Sequence, residues 1–349
     1  AAAPIILNIF LILVLFFGQY LNDELVFYLS YAVSFAGITQ TIFLILFVKK
    51  FYRPKINFNF SSDKRVKLFF KKLLPSIFSS GVTQINILVG TIIASFQASA
   101  VSYLYYADRI YQINLAIAGI AVGTVSLPVL SKSLKLKKFG NVKNIQNKSI
   151  ELCLLLSVPA SLGLILASEE IINALFGYGS FTNADVTMTA KALKYFGYGI
   201  PAFALIKVLS NFYFARDNTK TPFYLSLFSV VLNIAISLLL FKKIGFIIIP
   251  IATSISTWLA VILYFILLGK SKFLFFENLP LYNFFKIIFC TFIMSFVLYY
   301  GLSFFEDKLA YDNIYKSIYL VFMIGLVAMI YLINCYLFGL LKFKNYRAF

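Results

Sequence analysis

Asp108 and Arg109 sit inside the apolar run "SYLYYADRIYQINLAIAGIAVGT", residues 102–124. On a helix, positions three and four apart share a face. Ser102, Tyr105, Arg109 and Gln112 then form one polar stripe, and Asp108, about 100° around, lies near Tyr105 and Gln112. A guanidinium stays charged when partly desolvated and offers phosphate a planar, bidentate fork. Two readings follow: a site for an anionic substrate, or an Arg–Asp pair joining two helices. Arg109 lies about 13 Å along a helix that starts near residue 100, too deep for easy snorkelling. A charge at that depth costs about 3 kcal/mol and must face a bundle interior or a watery cavity.

Other polar groups at depth are few. Lys207 and Asn211 share a face of "PAFALIKVLSNFYFARD", Thr83, Gln84 and Asn86 precede the charged segment, and Asn233 and Ser237 form an i, i+4 pair ahead of Thr253 and Ser254. Buried Asn and Ser usually bond helix to helix. Oxygens from two adjacent helices can also hold a small cation, which makes Asn233 and Thr253 the candidate metal ligands. Lys207 joins Arg109, Asp108, Tyr105 and Gln112 as a candidate substrate-binding residue. Covalent chemistry has no carrier here. The chain has no His and no GxSxG, P-loop, HExxH or dinucleotide fingerprint. Cys153, Cys290 and Cys335 lie far apart in apolar runs and read as small hydrophobes.

The elements that carry these residues follow from composition. Of 349 residues, 61% are hydrophobic and 13% charged, with a mean hydropathy of +0.89. Soluble domains run nearer one-quarter charged, so the sequence predicts an all-α polytopic membrane protein. Runs of about 20 apolar residues occur at 4–20, 26–48, 73–97, 101–130, 150–167, 192–214, 222–241, 245–269, 282–304 and 316–341, giving about ten spans. The loops at 49–72, 131–148, 216–220, 270–286 and 342–349 then hold 23 Lys or Arg, and the alternate loops hold 4, with Lys316 counted at a span edge. That bias puts the first set, and the C-terminus, in the cytoplasm. The net charge of +18 is spread over every such loop, which suits anionic lipid headgroups and not nucleic acid. Gly119 and Gly123 form a GxxxG suited to close helix packing. Residues 169–186 read as a short interfacial helix and a Gly-rich turn. The opening "AAAPIIL" has neither Met nor a signal-peptide n-region, and upstream sequence is expected.

"SFQASAVSYLYYADRIYQINLAIAGIAVGTVSLPVLSKS" closely resembles the signature region of the MurJ (MviN) lipid II flippases, with Tyr-Tyr-Ala-Asp-Arg, Gly-x-x-x-Gly-Thr, Leu-Pro and Ser-Lys in order. "LFGYGSFTNAD", "FYFARDNTKTPF" and "GFIIIPIATSISTW" are similar to further blocks of that family. The resemblance covers essentially the whole chain. It implies the fold of the multidrug/oligosaccharidyl-lipid/polysaccharide exporter superfamily, fourteen helices in two lobes, of which these ten would be the fifth to fourteenth. Residues 1–48 would be a remnant of the first lobe, 49–67 a cytoplasmic loop, 68–269 the second lobe, 282–341 a C-terminal pair and 342–349 a cytoplasmic tail.

What the resemblance implies is transport without covalent chemistry. The chain would flip undecaprenyl-pyrophosphate-linked disaccharide peptide (lipid II) across the bacterial inner membrane by alternating access. Arg109 matches the family's cavity arginine of the second lobe and Asp108 its neighbour. The rival readings are an exporter of drugs or O-antigen units in the same superfamily and a non-transporting scaffold. Some members bind sodium between the seventh, eleventh and twelfth helices. Asn233 and Thr253 match ligands there, whereas Ser237 and the Val89–Gly90 region lack the acids, so coupling is left between sodium and membrane potential.

Overall fold

The computed structural model describes residues 3–18, 25–51, 84–274 and 281–341. All regular structure among them is helical. The predicted loop at 49–67 beyond Phe51, the start of the third span with Thr83, and the tail at 342–349 lie outside the described residues. The chain divides into two compact units, Ala1–Phe70 and Lys71–Phe349.

In the first unit, helix α1 (Ala3–Gly18) packs along α2 (Leu25–Phe51). Both are apolar around the whole circumference. The α2 hydroxyls of Ser34, Thr39 and Thr41 donate to carbonyls four residues back, which hides them in their own helix.

The second unit opens with α3, described over Gln84–Ala94. A single helical run then extends from Ala100 to Lys135: α4 (Ala100–Leu115), a π-turn (Ala116–Ile120) and α5 (Ala121–Lys135). Next come α6 (Phe139–Leu166), α7 (Ser168–Phe176), α8 (Asn183–Gly197), α9 (Ile200–Phe214), α10 (Lys220–Ile244) and α11 (Ile248–Lys270). The chain closes with α12 (Leu281–Phe304), α13 (Glu306–Leu309) and α14 (Lys316–Leu337). Among the described residues, six runs are long and apolar enough to cross a membrane, and the bent pair α8–α9 makes a seventh. One of the six, Lys220–Lys270, is a hairpin of two helices: it reverses at Gly245 (φ 75°), and Asn233 returns to bond Thr253. Where they are described, the ten expected spans fall on helices, the first and third of them on the shorter apolar helices Ile5–Gly18 and Gln84–Ala94.

Two boundaries differ from the sequence reading. Helix α6 starts at Phe139 and not near 150, because the polar stretch "GNVKNIQNKS" contains no proline, its one glycine falls in the first turn, and it prolongs the helix beyond the apolar run. The span placed at 192–214 starts at Asn183, where Thr182 and Asp185 form a reciprocal capping box, and it bends by 41° between α8 and α9. The bend has a covalent cause. Pro201 has no N–H for the carbonyl of Gly197, and the hydroxyl of Ser161 supplies the missing donor at 2.8 Å. Trp258 and Ser254 on α11 donate to the freed carbonyls of Tyr198 and Tyr195 at 2.9 and 2.7 Å. Irregular backbone at membrane depth is tolerated where neighbours satisfy it in this way.

Helix α9 is the axis of this unit: Pro201, Ala202, Ala204, Leu205 and the whole stretch Val208–Tyr213 are buried. It packs on α5, α6 and α11. At one end of the unit, Arg216 and Gln146 both donate to the carbonyl of Phe273, close to the basic run Lys132–Lys148. At the other end, Glu169, Glu170 and Glu306 line a cavity of about 200 Å³ with Asn183 and Tyr311. The unit has a basic end and an acidic end.

Candidate functional site

Helix α4 carries Arg109 because its opposite face is fastened to the bundle. Ala107, Ile110 and Tyr111 are buried. The Tyr111 ring stacks on Phe196 and meets Phe203 edge-on, both at 5.3 Å between centroids. Near the acidic end, the Tyr103 hydroxyl donates to Asp185 at 2.7 Å. Further along, Gly119 and Gly123 lie against α9, as the GxxxG spacing predicts. A Cβ on Gly119 would come within 3.0 Å of the Ala204 Cα. The amide of Asn211 donates to the Gly123 carbonyl at 2.7 Å. The rotation of α4 is therefore set by packing on one side, and the polar stripe is what remains on the other.

Ser102, Tyr105, Arg109 and Gln112 are all exposed on the second unit. Arg109 donates to the Tyr105 hydroxyl at 2.6 Å, and its guanidinium carbon lies 4.5 Å from that ring's centroid. Asp108 is half-buried and accepts from Gln112. The two charges thus take separate partners on their own helix. The pair does not join two helices: Tyr105 orients the arginine, and Gln112 occupies the aspartate. Most of the fork's N–H groups are left for another acceptor.

Lys207 is exposed on α9, but its backbone lies level with Gly123, about 21 Å along the helix from Arg109. It does not enter the Arg109 cluster. Asn233 and Thr253 do meet. Asn233 donates to Thr253 at 3.3 Å and to Asn86 on α3 at 2.9 Å, and accepts from Ser237 at 3.4 Å. Hard cations take oxygen ligands, commonly carboxylates. This set is neutral, and the amide oxygens of Asn86 and Asn233 are already engaged by N–H and O–H donors. As arranged it does not fit a cation. Among the described residues, no three of His, Cys, Asp or Glu gather as metal ligands.

A buried cation escapes sequence reading. Lys316, taken there as an edge residue, is 1% exposed. It donates to Asn173, Gly177 and Tyr311, and joins the C-terminal helices to the α7–α8 connection.

Residues 1–341 match the family profile described as "Lipid II flippase MurJ". The chain belongs to the MurJ family. The family is one of transporters, and its helical, multi-pass character agrees with the fold above. A probable lipid II flippase MurJ of Rickettsia prowazekii (strain Madrid E) is 40% identical over 261 residues, 74% of this chain and 51% of that protein. The Haemophilus influenzae MurJ (strain ATCC 51907 / DSM 11121 / KW20 / Rd) is 30% identical over 354 residues, 97% of this chain and 68% of that protein. A solved structure, "Lipid II flippase MurJ, inward closed conformation", superposes with a TM-score of 0.78 at 28% identity, covering 97% of this chain and 67% of that one. An outward-facing MATE family transporter of the MOP superfamily matches at 14% identity and a TM-score of 0.51, over 75% of this chain and 61% of that one, a likeness of fold alone. The chain spans about half the length of several curated MurJ relatives it matches.

Proposed function

We propose that this MurJ family chain is the substrate-binding part of a flippase for lipid II, the undecaprenyl-pyrophosphate-linked peptidoglycan precursor, in the bacterial inner membrane. The basic end faces the cytoplasm and the acidic end the outside, as the positive-inside rule requires. One observation carries the reading: Arg109 is held within a membrane helix on an exposed polar stripe, with a tyrosine to orient it and its neighbouring aspartate occupied by Gln112. A pyrophosphate brings two adjacent anionic groups, and the guanidinium fork can bind them without changing protonation state. Asp108, held by Gln112, lowers the local positive potential enough for release on the far side. Rocking of the helices then changes access to a bound headgroup, with no bond made or broken. Lys207, farther along, is a second cation for the diphosphate or the sugar-peptide on its way through.

The test is complementation of a flippase-depleted strain by the full-length protein, with membrane abundance quantified alongside. Arg109→Ala should abolish growth at normal abundance. Arg109→Lys should restore little, because an ammonium lacks the bidentate match. Growth of Arg109→Ala at normal abundance would refute the reading.

A further inference from the structure

The helix that carries Arg109 continues past it for 26 residues, to Lys135. At about 100° per residue, an uninterrupted α-helix would place Lys132 about 140° and Lys135 about 80° around the axis from Arg109. The π-turn at Ala116–Ile120 inserts one residue into the winding. With it, Lys132 comes to about 40° and Lys135 to about 20° from the Arg109 direction. Burial records the same phase shift. Thr124, Pro128, Lys132 and Lys135 are exposed, as Tyr105, Arg109 and Gln112 are, while Val122, Ser126, Leu130 and Ser133 are buried with Ala107 and Ile110. Along this face, Pro128, Ser131, Lys132, Lys135 and Leu136 line a cavity of about 420 Å³ at the basic end. Lysines in a last helical turn suit the helix dipole whichever way they point. The dipole does not account for a π-turn that brings them onto the arginine's face.

We propose that Lys132 and Lys135, with Ser131, form a first docking station for a lipid diphosphate headgroup, aligned by the π-turn with Arg109. The inference rests on the flippase reading above, which does not itself assign these residues. Lys132 lies about 34 Å beyond Arg109 along the helix, more than the hydrocarbon core is thick. The lysines thus stand in the headgroup layer while Arg109 stands within the span. A diphosphate meets two mobile ammonium groups at the surface, where water is plentiful, and then an oriented guanidinium at depth, where desolvation strengthens the pairing. Ser131 adds a neutral donor beside the ammonium groups.

The experiment measures binding of farnesyl diphosphate, a soluble prenyl diphosphate, to the full-length protein purified in neutral detergent. K132Q/K135Q should weaken binding about tenfold, and K132R/K135R should restore it. K137Q/K138Q removes the same charge from the adjoining turn and should change binding less than twofold. Inorganic pyrophosphate should compete, and dioleoylphosphatidylglycerol at equal mole fraction should not. Equal losses in the two Gln doubles, no loss in K132Q/K135Q, or full competition by phosphatidylglycerol would each overturn the station. The Arg109 reading fails separately, on growth of Arg109→Ala, and a station failure leaves that result unchanged.

Discussion

Lys316→Met tests what joins the C-terminal helices to the rest of the second unit. The ammonium donates to Asn173 Oδ1 at 3.0 Å and to the carbonyls of Gly177 and Tyr311, both at 2.7 Å. It also lies 4.3 Å from the Tyr178 ring centroid and 4.6 Å from that of Tyr311. Around it, Asn173 donates to the Leu309 carbonyl, Ser317 to that of Ala174, and Tyr311 to that of Phe181. Methionine keeps the stem and removes all three donors. Stranded acceptors cost about 2 kcal/mol each, roughly 6 kcal/mol for three. Roughly 3 kcal/mol is recovered because no ammonium need be dehydrated, leaving about 3 kcal/mol of destabilisation. That corresponds to about a 150-fold rise in local opening. Hydrogen exchange read by mass spectrometry in detergent should show this rise at residues 173–181 and 309–319, with α9 amides unchanged. A rise below threefold at those residues would refute the reasoning, since the acceptors would then be satisfied without the lysine.

Gly119→Ala should cost about 1–3 kcal/mol in thermal unfolding, because its new Cβ meets α9 backbone at 3.0 Å. Gly163→Ala, in α6 with nothing within 4 Å of the added carbon, should stabilise by about 0.5–1 kcal/mol. Burial raises the Glu170 carboxyl above the ordinary glutamate range, and its Oε2 is buried without a hydrogen-bond partner among the described residues. The folded state therefore holds this proton more tightly than the unfolded state, and stability falls as pH rises from about 4.3 through the raised value. Glu170→Gln should flatten that decline, being more stable than the parent at pH 8 and equal to it at pH 4; parallel pH profiles would refute the assignment. Cysteines at the exposed Asn144 and Asn183 should label oppositely with an impermeant thiol reagent outside intact cells, only Asn183→Cys reacting. The native cysteines are buried and give little background; labelling at Asn144→Cys would invert the topology.

The apolar helices of the described residues, a basic end and the face of α4 that presents Arg109 were all legible in the residue order, because each depends on local quantities. Apolar run length sets a span, Lys and Arg counts set a side, and spacings of three and four set a face. The GxxxG of Gly119 and Gly123 belonged to the same class, although only the fold named Ala204 and Asn211 as what it packs against. Tertiary structure decided whatever depended on distant partners. Lys316 reads as a solvent-edge charge until Asn173 and Gly177, more than 130 residues away in sequence, close around it. Asn233 reads as a candidate metal ligand until Asn86 and Ser237 engage it in a neutral network. The bend before Pro201 depended on Ser161, Ser254 and Trp258 for its freed carbonyls. The π-turn is the subtlest case. "AIAGI" has no proline, and an ordinary α-helix satisfies its backbone equally well. What distinguishes the two windings is the side chains each sets against α9, and that contact exists only once the bundle has assembled.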